Sequence, residues 1–147
     1  MLADEARRVR ILQYYQQVGI DQAYPVRCRR PVLQVGERDV REYYRVRNLN
    51  YPYQYHNGGI WPFIGGFYVV ALVKAGRMAQ AERALERLAE MNHGGRQGEW
   101  EFNEWLHGLS GCPMGFPLQT WSAAMYLYAY HCFQSGQVTG LEALDLS

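Results

Sequence analysis

The sequence predicts an all-α fold in which buried helices alternate with outer, charged helices and long loops emerge at one end. Residues 62–92 join an apolar helix to a strongly amphipathic one, and residues 118–134 repeat the apolar pattern. No segment shows the strict alternation of a half-buried strand. The 147 residues are 48% hydrophobic, which is enough for one domain with a core.

The first helix is predicted over residues 2–18, where apolar residues form a stripe that ends at the stop signal Gly19. Residues 19–60 are broken by prolines and rich in Tyr and Arg, which favours an ordered, functional irregular stretch. A short helix or strand is expected within residues 39–47.

The second and third helices, residues 62–75 and 78–92, form a helical hairpin. Pro62 suits a first helical position because its missing N–H has no helical partner to lose. Residues 99–117 are predicted to be an ordered loop. In the helix at 118–134 one face carries Trp121, Met125, Tyr128 and Cys132, and a short final helix is expected at 140–146.

Charge and cysteine content exclude several classes of protein. The net charge is +1, which does not favour nucleic acid or a membrane surface as a partner. The short basic run Arg27, Arg29 and Arg30 is interpreted as a solvated loop rather than a phosphate-binding patch. Three cysteines without a C-x-x-C pair argue against a disulfide framework or a zinc site. Without a signal-peptide pattern or a spanning apolar run, we expect a cytoplasmic protein.

Two segments concentrate aromatic and polar residues where a packed helix would place Leu and Ala. The first is YHNGGIWP at residues 55–62, called here the His56 segment, and the second is EWEFNEW at residues 99–105, called the Glu104 segment. Aromatic rings provide a platform for the apolar faces of a sugar, while amides, imidazoles and carboxylates bond its hydroxyls. A carboxylate beside Trp is also a candidate acid or base.

Three motifs, YHNGGIWP, FNEWLHGLSG and QTWSAAMYLYA, resemble the C-terminal half of (α/α)6-barrel glycoside hydrolases. The nearest families are the alkaline/neutral invertases and the bacterial amylo-α-1,6-glucosidase, or glycogen-debranching-type, proteins. The resemblance covers about residues 20–135. It implies that residues 1–147 form a single partial domain, about half of an (α/α)6 toroid. His107 stands where the invertase pattern has Asp.

The resemblance implies inverting hydrolysis of an α-glucoside by two carboxylates. Glu104 matches the general base, and Glu101 is the alternative because counting back from Gln119 without a gap reaches it. The implied sugar-binding residues belong to the same three motifs: Tyr55, His56, Asn57, Gly58, Gly59, Trp61, Trp105, His107, Gln119 and Trp121. For Trp61 and Trp121 a core role is an equal alternative.

The general acid of these families, an Asp, has no matching motif in this chain. We therefore expect an inactive isolated chain whose apolar faces, such as Phe63, Phe67 and Val70, are covered by self-association or by the missing N-terminal half of the barrel. Glu104 and His107 form an E-x-x-H pair without a second ligand set, so no metal and no other cofactor are expected.

Two other classes of function stay open at this point. One is a non-catalytic carbohydrate-binding remnant, and the other is a helical-repeat interaction module built on the hairpin at 62–92. The hairpin has no second copy at a fixed period, which argues against the repeat module. A sugar epimerase on the same barrel would need histidine pairs that the sequence does not show.

Overall fold

The computed structural model describes residues 4–22, 24–41, 46–47 and 50–140. It is mostly helical, as predicted: α1 spans Glu5–Gln17, α2 spans Pro62–Lys74, α3 spans Met78–His93 and α4 spans Thr120–Ser135. The predicted helices are confirmed, with their ends shifted by a few residues. The element expected within 39–47 lies largely outside the described residues, and so does the helix expected at 140–146.

The loop over residues 99–117 contains a small hairpin that the sequence did not predict. Strand β1 is Trp105–Leu106 and strand β2 is Pro113–Met114, and they pair antiparallel with Trp105 opposite Met114. Two residues are too few to show an alternating pattern, so these strands leave no periodic signal in the sequence.

Helix α1 begins at a side-chain cap and contributes little to the core. The carboxylate of Asp4 accepts a hydrogen bond of 2.8 Å from the backbone N–H of Arg7, which satisfies one free donor of the first turn. Leu12 is the buried residue of the helix. The ring of Tyr15 stacks on that of Tyr68, with 6.1 Å between centroids, and so joins α1 to α2.

Helix α2 lies at the centre, packed against both α3 and α4. Two adjacent glycines make this position possible. A Cβ on Gly66 would lie 2.8 Å from the carbonyl oxygen of Met125 in α4, and one on Gly65 would lie 2.4 Å from that of Pro25. The glycines therefore permit close backbone contact on two sides of α2.

Helix α3 is amphipathic, as its sequence predicts. Ala81, Leu85 and Leu88 face the core, and Leu88 is fully buried. Burying a Leu side chain contributes about 2 kcal/mol. The opposite face is charged and exposed, and consists of Glu82, Arg83, Glu86, Arg87 and Glu90.

Helix α4 buries part of the predicted face, since Cys132 is buried and Tyr128 is partly buried against the core. Its buried residues are Ser122, Ala129 and Cys132, whereas Trp121 is 48% exposed. Because apolar residues occur on all sides of this helix, the periodicity of its sequence does not identify one buried face. Val70 of α2, expected to be exposed, is also buried in the core.

The chain leaves several large apolar side chains exposed. They lie on α2, on α4 and in the loop that precedes α4: Phe67, Phe116, Leu118, Trp121, Leu127 and Tyr130. In the part of the chain that the structure describes, no helix is long and apolar enough to cross a membrane.

Candidate functional site

The His56 and Glu104 segments are joined directly by backbone hydrogen bonds. The N–H of Ile60 donates to the carbonyl of Leu106 at 2.9 Å, and the N–H of Leu106 donates back to Ile60 at 2.7 Å. Both side chains are buried. A third bond, 2.7 Å from the N–H of Gly108 to the carbonyl of Tyr53, extends the junction. Two motifs that are distant in sequence therefore share one surface.

An aromatic cluster forms at this junction. The ring of His56 lies nearly parallel to Trp61 at 5.1 Å, and Tyr55 is 4.1 Å from His56 and 6.0 Å from Trp105. Trp61 and Trp105 are buried, while His56 is exposed. The two Trp rings thus form the floor of the cluster and His56 forms its accessible edge, which favours the core interpretation of Trp61.

The side chain of Asn57 is bonded to the chain itself. Its Oδ1 accepts from the N–H of Leu33 at 2.8 Å, and its Nδ2 donates to the carbonyls of Leu33 at 2.9 Å and Asn50 at 3.0 Å. Asn57 is 5% exposed. These bonds fix the turn that carries His56, whose own N–H donates to Oδ1 of Asn50 at 2.9 Å.

The two glycines of the His56 segment are required by the surrounding protein. Gly58 has φ of 90°, and a Cβ there would lie 2.3 Å from Cγ1 of Val32. A Cβ on Gly59 would lie 2.4 Å from the carbonyl oxygen of Tyr55. A tight turn accounts for both positions without a ligand.

Cys28 contacts this turn, and no motif in the sequence indicates that role. Its Sγ donates to the carbonyl of Tyr55 at 3.1 Å, and the same oxygen accepts from Nε1 of Trp61 at 3.2 Å. Burial raises the pKa of the Cys28 thiol, with backbone hydrogen bonds opposing the rise. The thiol therefore acts here as a neutral donor that supports the turn.

The two candidate carboxylates have different surroundings. Both oxygens of Glu101 are occupied: Oε1 accepts from the N–H groups of Gln97 at 2.7 Å and Gly98 at 3.0 Å, and Oε2 accepts from Arg96 N–H at 2.9 Å. The N–H of Arg96 is the main cause that lowers the pKa of Glu101, and the other two N–H groups add to it against the effect of burial. This carboxylate folds the Gly-rich turn at 94–98.

Glu104 keeps one oxygen available. Its backbone N–H donates to the carbonyl of Phe116 at 2.9 Å, and its Oε2 accepts from Phe116 N–H at 3.2 Å. Among the described residues Oε1 has no hydrogen-bond partner, and the side chain is half-buried. A Cβ on Gly115 would lie within 3 Å of both Oε2 of Glu104 and Cδ1 of Trp105, so a glycine there leaves space for the carboxylate.

Asn103 connects the Glu104 segment to neighbouring elements. It is fully buried, its Nδ2 donates to the carbonyl of Gly94 at 3.1 Å, and its own carbonyl accepts from Oγ of Ser122 at 3.2 Å. The Gly-rich turn, the Glu104 segment and the first turn of α4 are therefore held as one unit. No motif or periodicity in the sequence indicates this role of Asn103.

The two Trp residues that flank the acidic run belong to different groups of rings. Trp105 faces Tyr55, whereas Trp100 lies 5.9 Å from both Phe102 and Tyr126. Trp105 therefore neighbours the His56 cluster, and Trp100 packs toward α4.

The remaining predicted residues lie at the edges of the site. The ring of His107 accepts from the N–H of Ser110 at 3.3 Å and lies 3.2 Å from its Oγ, so it shapes its own turn. The side chain of Gln119 donates to the carbonyl of Pro117 at 3.2 Å. Trp121 follows on the exposed face of α4.

A cavity of about 320 Å³ opens beside His56. That volume lies in the range of small-molecule sites, which begins at roughly 300 Å³. Polar and charged groups predominate in its lining, which consists of Arg29, Leu33, Asp39, Val40, Asn50, His56 and Asn57. Over the residues that the structure covers, no group of three or more His, Cys, Asp or Glu side chains could hold a metal ion.

Residues 3–135 match the family model described as alkaline and neutral invertase, which is a family of glycoside hydrolases. The chain belongs to the alkaline/neutral invertase family. The resemblance to amylo-α-1,6-glucosidases stays a prediction.

Curated relatives agree with this family. The chain is 37% identical over 81 residues to neutral/alkaline invertase 1, mitochondrial, of Oryza sativa subsp. japonica, covering 53% of this chain and 12% of that protein. It is 34% identical over 99 residues to probable alkaline/neutral invertase D of Arabidopsis thaliana, covering 65% of this chain and 18% of the relative. It is 40% identical over 83 residues to probable alkaline/neutral invertase F of the same plant, covering 54% and 16%. The chain thus spans less than a fifth of each relative.

Proposed function

We propose that this chain is part of an α-glucoside-acting glycoside hydrolase domain and that it supplies the general base, Glu104. The observation that carries the proposal is the contrast between the two carboxylates. Oε1 of Glu104 has no hydrogen-bond partner among the described residues, whereas Glu101 has both oxygens bonded to backbone N–H groups. A base needs an oxygen that can accept a proton from water.

In the proposed mechanism, Glu104 takes a proton from a water that attacks the anomeric carbon. A carboxylic acid on the other side of the glycosidic bond protonates the leaving oxygen, and inversion needs about 6.5–9.5 Å between the two groups. The acid, an Asp in the family that this chain resembles, would come from outside it. Residues 1–147 are accordingly proposed to be one partial domain that is inactive alone.

The sugar is proposed to lie over the His56 edge of the aromatic cluster, with its hydroxyls toward the neighbouring cavity. His56 is exposed there, and Asn50 and Asp39 line the same cavity. Sucrose is the substrate that the names of the invertase relatives suggest. Isomaltose-type α-1,6 bonds and glucosylglycerate are the alternatives. Cytoplasmic localisation stays a prediction, because one relative is named as mitochondrial.

The experiment tests both carboxylates in the complete barrel, formed by adding the N-terminal half from a family member. Glucose release is measured on sucrose, isomaltose and glucosylglycerate. Glu104→Gln is expected to reduce turnover by about a thousandfold or more while the far-UV circular dichroism is unchanged, since a general base contributes up to roughly 10⁴-fold. Full activity in Glu104→Gln together with loss in Glu101→Gln would transfer the role to Glu101.

A non-catalytic carbohydrate-binding remnant is the second candidate, supported by the exposed ring of His56 stacked on the buried Trp61. Tryptophan fluorescence of the isolated chain during titration with sucrose and isomaltose separates the two. Binding that is lost in His56→Ala, with no turnover in the complete barrel, would favour the remnant.

A further inference from the structure

The basic run at residues 27–30, which the sequence favours as a solvated loop, is divided between two cavities in the structure. Arg29 lines the cavity beside His56, whereas Arg27 and Arg30 line a separate one of about 400 Å³. We propose that this second cavity binds a small ligand bearing an oxyanion, a phosphate or a carboxylate. The proposal goes beyond the glycosidase site and does not depend on it.

In the two arginines of this cavity, each guanidinium group donates one hydrogen bond to a backbone carbonyl. Nε of Arg27 donates to the carbonyl of Gly108 at 2.9 Å, and Nη1 of Arg30 reaches the carbonyl of Gly19 at a long 3.4 Å. Among the described residues neither guanidinium forms an ion pair, and no carboxylate lines the cavity. Most of their N–H groups therefore have no acceptor among the residues that the structure describes.

Like charges placed together in a concave site attract an anion. Burial is the main cause that lowers the pKa of Arg27, and the nearby charge of Arg30 lowers it further. Guanidinium groups offer planar forks of N–H donors that bind phosphate or carboxylate oxygens in pairs. An oxyanion between Arg27 and Arg30 would relieve their repulsion and satisfy their free donors.

The rest of the lining suits a hydroxylated ligand of sugar size. Gln22 and Gln34 contribute amides, and Tyr53 contributes its phenol. The volume of about 400 Å³ lies within the range of small-molecule sites. The apolar part of the lining consists of Pro31, Val32 and Leu109. A phosphorylated or carboxylated sugar derivative therefore fits the donor set better than a neutral sugar.

This cavity adjoins the turn that follows β1. Arg27 holds the carbonyl of Gly108 from one side, and the N–H of Gly108 donates to Tyr53 at 2.7 Å. Arg27 and Tyr53 both line the cavity. An anion bound here would touch the residues that fix the turn next to the Glu104 segment.

The test is calorimetric titration of the full chain, in a buffer low in chloride, with inorganic phosphate, glycerate, glucose 6-phosphate and glucose. We expect millimolar or tighter binding of the anions and none of glucose. Arg30→Gln should weaken anion binding by about tenfold or more, because a charged hydrogen bond contributes more than one decade of affinity. Arg83→Gln is the matched control, since Arg83 is exposed on α3 and lines neither of the two cavities, and it should change the affinity less than about twofold.

A comparison of the titrations with glycerate and with phosphate identifies the class of anion. Tighter binding of glycerate than of phosphate would assign a carboxylate ligand, and the reverse order would assign a phosphate. The proposal is overturned if the wild-type chain binds no anion in the millimolar range, if Arg30→Gln binds as well as the wild type, or if glucose binds as tightly as glucose 6-phosphate. Should Arg30→Gln fail to fold, Arg30→Lys keeps the charge without the planar fork, and a lack of any loss of affinity there also overturns it.

Discussion

Replacing Asn57 by Ala should destabilise the protein much more than replacing its neighbour His56. Both residues belong to the motif that suggests sugar binding, but their surroundings differ. Asn57 makes three hydrogen bonds through its side chain to the backbone of Leu33 and Asn50, whereas the ring of His56 is exposed and only stacks on other rings.

The magnitude follows from those three bonds. Each buried hydrogen bond contributes about 1 kcal/mol, and an unsatisfied buried partner can cost more. Leu33 and Asn50 are half-buried, so water can replace part of what is lost. We expect Asn57→Ala to lower the free energy of unfolding by about 3 kcal/mol. His56→Ala removes ring contacts and should cost about 1 kcal/mol or less.

Urea unfolding followed by tryptophan fluorescence measures the effect. With a slope of 1–3 kcal/mol per molar urea, typical of small proteins, the midpoint of Asn57→Ala should fall by about 1 to 3 M. Asn57→Asp keeps the acceptor but loses both amide donations, and should also be unstable. An Asn57→Ala midpoint within about 0.3 M of the wild type would refute the structural role assigned to this amide.

Two further predictions concern Glu101 and the exposed apolar surface. The pKa of Glu101 is lower in the folded than in the unfolded protein. The stability that this carboxylate adds to the folded state is therefore complete above the unfolded-state pKa, and it is lost as the pH falls through the folded-state pKa. An NMR titration should show that the pKa of Glu101 is low, and Glu101→Gln should reduce the dependence of stability on acid pH. A Glu101 carboxyl group that titrates at its ordinary pKa would contradict the role of the three backbone N–H groups. Because Phe67, Trp121 and Leu127 are exposed, light scattering of the isolated chain should show a dimer or aggregation. A well-behaved monomer would contradict this prediction.

The helices could be predicted from sequence because local signals agree with the packing. Pro62 begins α2, and the charged face of α3 defines its inner side without further information. For α4 no such contrast exists, since Trp121 and Leu127 are as apolar as the buried Ala129. The choice of its buried face depends on contacts with α2, where Gly66 permits close approach, and periodicity cannot supply that information.

The sequence predicted which segments form the candidate site, but it did not predict the role of each side chain in them. The spacing of the motifs indicated where aromatic and polar residues concentrate. It could not indicate that the amide of Asn57 is used by Leu33, or that the carboxylate of Glu101 binds three backbone N–H groups. A polar side chain in a loop can face ligand or backbone, and only the three-dimensional course of the chain decides between them.

The paired hydrogen bonds between Ile60 and Leu106 make the two segments one fixed joint. They set the spacing of the segments directly at a point where both side chains are buried. The turns on either side are tied to the same joint, since Asn103 bonds to Gly94 and Gly108 bonds to Tyr53. Engineering a different specificity should therefore keep the lengths of both turns and change exposed side chains such as His56.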